Sequence, residues 1–269
     1  EPLFRLYKIF PKDFTVSFKA NKNILIIVID PARPVHDPLL EIGYDNWAKD
    51  QLAIKLTCQN PDEFYEAFRE KRQRIITLFR NKDIERYQAK FRQTASTPLM
   101  ERVKEKFNVQ FSVPDGFYIS REDSNFLYFS HESIKKVGEL QHQITRGLIM
   151  YSFPYTNPST FTVDFVNHLR DSLTQRYVEG SVENSYMKIE YLYKPDSAST
   201  AIQGKYALET RGLWHMENYF MGGPYINYLT LDEQRNRVIL IDGFIFAPRF
   251  DKRDFMVQME ALLRMIKIN

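Results

Sequence analysis

Cysteine is almost missing from this sequence. Cys58 stands alone among 269 residues, so no intramolecular disulfide and no cysteine-rich zinc site can form. Glycine is scarce as well, at 10 residues, which excludes a collagen-like fibre. Long apolar runs are absent: the longest aliphatic stretch, Ile24–Ile29, is six residues, too short to span a bilayer as a helix. Charge of one sign is lacking too, because 37 Lys+Arg against 34 Asp+Glu leaves only +3. That balance does not mark a nucleic-acid binder. Catalytic signatures fail in turn, with no G-x-S-x-G elbow, no phosphate-binding G-x-x-x-x-G-K-[ST] and no dinucleotide G-x-G-x-x-G. The histidines His36, His131, His142, His168 and His215 share no ligand spacing. His131-Glu132 opens like a zinc-protease helix, but Lys135 stands where a second ligand belongs. His36-Asp37 sits in a proline-rich loop and could join a site from elsewhere, but an ordinary surface histidine is the preferred reading. No metal and no cofactor is expected.

Aromatic residues are abundant instead: 21 Phe, 16 Tyr and 2 Trp. Each ring buries roughly 150–250 Å², so the chain can build a large core. Tyrosine suits half-buried strand positions, which points to a β-rich core. A carbohydrate- or peptide-binding surface of exposed rings is the alternative. The sequence opens at Glu1 without a charged-then-apolar leader, read here as trimming and not as a cytoplasmic address.

Along the first third, Leu6–Phe10 reads as a strand and Ile24–Ile29 as a strand covered on both faces. Residues 31–46 read as loop, with Pro31, Pro34, Pro38 and Gly43. A strand at Leu52–Thr57 precedes a helix start at Asn60-Pro61-Asp62-Glu63. Phe64, Phe68, Ile75 and Phe79 share one helical face, with further helices over Asp83–Gln93 and from Pro98, capped by Thr97, to Lys106. Between Arg69 and Arg92 nine cations face three acids. This reads as a solvated face, since docking on anionic lipid would need the cations on one exposed side.

Later text repeats the plan. Val109–Val113 ends at Pro114, Asn125–Tyr128 echoes Asn23–Ile26, and Leu148–Phe153 leads to Asn157-Pro158 and a helix with Phe165, Leu169 and Leu173 on one face. The expected organisation is therefore two similar strand–strand–strand–helix halves, 1–107 and 108–269. Beyond them, Met187–Tyr193 alternates with period two, Pro195–Gln203 reads as polar loop, and Lys205–Thr210 as strand. Tyr225–Leu231 and Arg237–Phe246 flank a charged turn as a hairpin, and Phe255, Met259, Leu262 and Ile266 mark a closing helix. The fold class is α+β, a mostly antiparallel sheet packed against helices.

Special residues concentrate between Arg211 and Pro248, where four glycines (Gly212, Gly222, Gly223, Gly243) fall. Gly222-Gly223-Pro224 reads as a turn or bend into the hairpin. As a candidate ligand site, Gly222 and Gly223 form a backbone rim, Trp214 and Tyr225 stack, and Arg211 clamps an anion. The structural reading is preferred: it places Trp214 in the core and both glycines in conformations that a Cβ would strain.

The ordered string Arg211-Gly212-Leu213-Trp214, Met221-Gly222-Gly223-Pro224-Tyr225, Gly243-Phe244-Ile245-Phe246-Ala247-Pro248 and Lys252-Arg253-Asp254 resembles domain-of-unknown-function family 4837 of Bacteroidota lipoproteins. The likeness extends through Asp45-Asn46-Trp47 back to the first residues. It implies a signal peptide and a lipidated cysteine upstream of this chain, hence a cell-envelope address in the periplasm or on the outer membrane. It carries no catalytic residues. On that basis the protein reads as a non-catalytic envelope domain that binds a protein partner or a cell-surface glycan. It would bind no nucleic acid and touch the membrane only through its anchor. The alternative is an envelope hydrolase of glycans or peptides with unidentified carboxylates. The same address makes Asp196-Ser197-Ala198 an O-glycosylation candidate, and Ser197, in a polar loop, is preferred over the helical Ser172.

Overall fold

Among the described residues the strands make three sheets, of three, eight and two strands. The computed structural model describes residues 3–33 and 39–268; His36 and Asp37 lie outside them. Compactness divides the chain between Arg86 and Tyr87, whereas the sequence reading divides it at residue 107.

The smaller unit opens with a short helix α1 (Val16–Lys19), followed by β1 (Asn23–Ile29), β2 (Leu39–Tyr44) and β3 (Leu52–Cys58). The sheet order is β1-β3-β2, with β1 parallel and β2 antiparallel to β3. Central β3 is buried at every position but Lys55. Its Leu52 and Ile54 pack with Leu25 and Ile42 against Ile75 and Phe79 of the helix α2 (Pro61–Gln93). Asn60 starts α2 by accepting the Glu63 N–H at 2.9 Å, and the Glu63 carboxylate accepts from Gln59 N–H in return.

Four expectations change here. Leu6–Phe10 is not a strand, and β2 lies inside the expected loop. β1 is an edge strand, so Ile27 and Ile29 stay exposed where cover on both faces is expected. Two expected helices are one of 33 residues, because neither Gly nor Pro interrupts the chain after Pro61. The cations of α2 also fail the single-face test: Arg72 and Arg74, both exposed, project about 160° apart at 100° per residue. Arg86 is tied down, to Asp83 (2.7 Å), Asn23 (2.9 Å) and the Lys22 carbonyl (2.8 Å).

The larger unit begins with α3 (Thr97–Phe107), whose N-cap is Ser96, one residue before the expected Thr97. The expected strand Val109–Val113 shrinks to β4 (Val109–Gln110), which pairs with β13 (Lys267–Ile268). The main sheet comprises β5 (Tyr118–Asp123), β6 (Phe126–Val137), β7 (Leu140–Pro154), β8 (Tyr186–Ile189), β9 (Asp196–Ile202), β10 (Lys205–Glu217), β11 (Tyr219–Asp232) and β12 (Arg237–Phe246). Its order is β5-β6-β7-β12-β11-β10, with β8 and β9 sharing the outer edge of β10, and every pairing is antiparallel.

Period-two alternation sorts the sheet into two faces. Leu127, Phe129, Ile226, Ile239 and Ile241 face α3 and the closing helix α5 (Arg253–Leu263), meeting Val103, Phe107, Met259 and Leu262. Phe126, Ile149, Leu208, Leu229 and Leu240 face α4 (Val163–Tyr177), meeting Val166 and Leu173. The buried stripe of α4 is Val166, Asn167, Arg170, Leu173 and Thr174, shifted from the expected Phe165–Leu169–Leu173 face by its buried polar residues.

Both halves run three strands and then a helix, but the parallel β1–β3 pair has no counterpart in the β5-β6-β7 meander. Pro195–Gln203, expected as loop, carries the edge strand β9, closed onto β10 by Gln203 (φ 51°) and Gly204 (φ 80°). Its exposed Ser, Thr and Ala hide it from an apolar pattern. The alternation expected to Tyr193 stops as strand at Ile189.

Candidate functional site

Three strands of unequal length make a cleft. β12 stops at Phe246, where its last partner is Thr145 of β7, and its ladder with β11 begins only at Tyr225↔Phe244. Its neighbours run on past that end. β6 and β7 continue as a two-stranded arm to the turn Gly138-Glu139, with Gly138 at φ 60°. β10 and β11 continue as a second arm to Asn218 at φ 58°. Because β7 and β11 both run antiparallel to β12, both arms project from the same end of the sheet.

On the α4 face at this end lies a cleft of about 520 Å³. Tyr128, Trp214, Phe244 and Phe246 form its aromatic floor. Glu132, Gln143 and Thr145 line it from one arm, and Tyr219, Phe220 and Met221 from the other. Ser120 and Arg121 of β5 and the segment 177–181 after α4 complete it. Trp214 meets Phe244 edge-on at 5.6 Å, a favoured aromatic geometry. Phe220 is fully exposed, and Tyr219 and Tyr118 are a little under half exposed.

The charged groups of the lining are engaged. Arg121 Nη2 lies 3.4 Å from Glu179 Oε2, and Tyr118 Oη donates to Glu132 at 3.4 Å. Tyr177 Oη donates to Asp123 at 2.6 Å; this bond and the Ser124 N–H hold the Asp123 carboxyl below the usual carboxylate range. Burial pushes the Tyr128 phenol up to about 12, so it stays protonated and can donate. The apolar floor is thus ringed by hydroxyls and amides together with the charged Arg121, Glu132 and Glu179. Among the described residues no group of three His, Cys, Asp or Glu could hold a metal.

The residues singled out in the sequence divide between the two faces. Trp214 is 2 % exposed and lies in the cleft floor. Gly223 is its cross-strand partner, and Gly222 pairs with His215. Both glycines sit inside β11 and not in a turn, with no positive φ. They are needed for close approach instead: a Cβ on Gly223 would fall 1.9 Å from the Ile245 carbonyl oxygen, and one on Gly222 2.9 Å from that of Trp214. Tyr225 is buried beneath Arg170, whose guanidinium sits 3.9 Å from the ring centroid, and it does not line the cleft. Burial pushes its phenol up to about 12.

Arg211 is on the opposite face. It lies 2.8 Å from Glu260 and also meets Glu209, while Arg264 reaches the same Glu260 at 2.9 Å. The sheet thus separates Arg211 from the rings expected beside it. Ser197 is exposed on the edge strand β9, not on a loop. Ser172 donates to the His168 carbonyl on α4 (2.9 Å). Cys58 is buried, and burial raises its thiol pKa.

One constellation escapes the sequence reading. Arg170 of α4 binds Asp242 of β12 through Nε–Oδ2 at 2.7 Å, with both side chains 1 % exposed. Asn227 reaches the same carboxylate at 3.5 Å and accepts from Thr210 Oγ1 at 2.8 Å. Burial drives the Asp242 carboxyl upward, against the pull of Arg170 and Asn227. An aspartate inside the apolar run Val238–Phe246 was the available signal. The pair fastens α4, whose C-terminal end walls the cleft, to the central strand.

A search of curated proteins returns no match. Among solved structures the chain overlaps the Ran-binding protein Mog1p of Saccharomyces cerevisiae at 11 % identity and a TM-score of 0.36, covering 60 % of this chain and 89 % of that one. A mutant of Mog1 gives 11 % identity and 0.35, covering 60 % and 90 %. Likeness at that level carries no inference about function. Residues 1–92 match a domain of unknown function, DUF8532, so the resemblance read back to residue 1 gives way there to a different family. Residues 96–265, more than half of the 269-residue chain, match the domain of unknown function DUF4837. The chain belongs to the DUF4837 family.

Proposed function

We propose that this protein is a non-catalytic binding domain of the cell envelope, and that the cleft between the two arms takes its ligand. The carrying observation is the lining. An aromatic floor of Tyr128, Trp214, Phe244 and Phe246 lies under a mixed rim of hydroxyls, amides and the Arg121, Glu132 and Glu179 side chains. Such a surface suits a ligand with apolar faces and hydrogen-bonding edges. Hydrolysis by paired carboxylates would draw on Glu132 and Glu179, whose contacts with Tyr118 and Arg121 are long and exposed at 3.4 Å each; the aromatic floor is what favours binding.

The envelope address rests on the resemblance to Bacteroidota lipoproteins. In the full-length protein it requires a lipidated cysteine upstream of residue 1. Metabolic labelling with a palmitate analogue tests this; an unlabelled full-length protein contradicts it. The exposed Ser197 is the O-glycan acceptor in the same reading, checked by intact mass of protein from the native source.

The cleft itself is tested by titrating a Trp47→Phe variant, in which Trp214 is the sole tryptophan, with neutral oligosaccharides and uncharged peptides while following its fluorescence. Saturable change that Phe220→Ala weakens supports the site. No response from either ligand class overturns it.

A further inference from the structure

We infer that the cleft binds an extended peptide by strand addition, the peptide continuing the line of β12 between the two arms. This rests on the reading of the cleft as the binding site and names its ligand class.

The hydrogen-bond phase of the sheet carries the inference. Val137 and Leu140 close the β6–β7 turn and pair with each other, so alternate residues of β7 bond back to β6. Gln141, Gln143 and Thr145 therefore direct their N–H and C=O the other way, toward the line of β12. Thr145 meets Phe246 there, the last residue of β12. Gln141 and Gln143 lie beyond that end and are exposed. The phase checks independently at the far side of the sheet, where the Ile202↔Lys205 closing pair demands the same alternation through β10 and β11. Carried across, it turns Gly222 of β11 toward the same line, and Gly222 is exposed too. Pro224, which has no N–H, ends the β11–β12 ladder between them.

Two strands flanking a third are about 10 Å apart, twice the inter-strand spacing of 4.7–4.9 Å. β7 and β11 flank β12, and beyond Phe246 the chain itself leaves the line: Phe250 N–H bonds the Ala247 carbonyl at 3.2 Å, and the Phe250 ring packs against His142 at 5.7 Å. A peptide entering in the direction of β12 runs antiparallel to both arms and meets unpaired backbone on each side. Main-chain bonds supply affinity, and alternate side chains reach the aromatic floor. The peptide carries apolar residues at every second position, the set that faces the aromatic floor of Tyr128, Trp214, Phe244 and Phe246.

The test selects 12-residue peptides on the whole protein from a displayed library, then synthesises the best binder. Hydrogen exchange of the complex should slow at Gln141, Gln143 and Gly222 by tenfold or more. N-methylating alternate peptide residues should weaken binding at least tenfold in either phase, since one phase bonds β7 and the other β11, a result that leaves the protein unaltered. Gln143→Pro should abolish binding while Gln143→Ala retains it, since only the backbone N–H is used. Binding without arm protection, or indifferent to N-methylation in either phase, overturns strand addition between the arms. Neutral oligosaccharides that bind where peptides do not overturn it too, while leaving the cleft as a binding site. Failure of both ligand classes overturns the cleft reading itself.

Discussion

Arg170 Nε lies 2.7 Å from Asp242 Oδ2, and both side chains are 1 % exposed. The pair joins α4 to the strand at the centre of the sheet, and the Arg170 guanidinium also covers the Tyr225 ring. Removing one partner strands a buried charge, at a cost of roughly 3–5 kcal/mol. Asp242→Ala should therefore lower the free energy of urea unfolding by about that much. The paired replacement Arg170→Met with Asp242→Leu should recover most of the loss. Equal destabilisation by single and double variants would show that the site needs its charges.

Gly223 tests the close packing behind the cleft floor. A Cβ there would lie 1.9 Å from a backbone oxygen that has no freedom to swing aside. Gly223→Ala should cost about 1–3 kcal/mol, as overpacking does, and Trp214→Ala roughly 3–5 kcal/mol as a buried aromatic truncation. Denaturant unfolding at unchanged m-value is the check; wild-type stability in both would mean that Trp214 is not core.

Arg211 should matter for folding and not for ligand. It faces Glu260, 2 % exposed, on the α5 side of the sheet, while the cleft opens on the other face. Arg211→Ala should cost roughly 1–3 kcal/mol by leaving a buried acceptor short of a partner. Its affinity for any cleft ligand should stay at the wild-type value, measured by calorimetry on the folded variant.

His131 should make stability depend on pH. Burial, aided by the nearby Arg146, lowers its pKa below the ordinary 6.5. The unfolded chain then binds more protons than the native one, so stability is full above pH 6.5 and falls as pH drops through the native value. His131→Gln should flatten the unfolding free energy over that window. An unchanged slope would assign it to other groups.

Much of the fold was legible because burial wrote it. Ile24–Ile29, Leu52–Thr57, the β11–β12 hairpin and the last helix all follow apolar period, and the structure has them there. β9 was not, since an exposed edge strand of Ser, Thr and Ala needs no apolar face. The division of the site was in principle legible. Arg211 and Trp214 are three positions apart on one strand, so they point to opposite faces, and no ligand could meet both side chains at once. The cleft was not legible, because it arises from where β12 ends relative to β7 and β11, and register is a property of pairing rather than of any one segment.

The central claim is that ligand enters between the two arms on the α4 face. Its most direct test is photocrosslinking in cells of the native source from a benzophenone residue at position 220, fully exposed beside the cleft, against one at position 213, exposed on the other face. The account predicts a defined adduct from 220, none from 213, and loss of the 220 adduct when Thr145→Trp fills the cleft. Adducts of equal yield from both positions, or a 220 adduct that survives the filling, would contradict it.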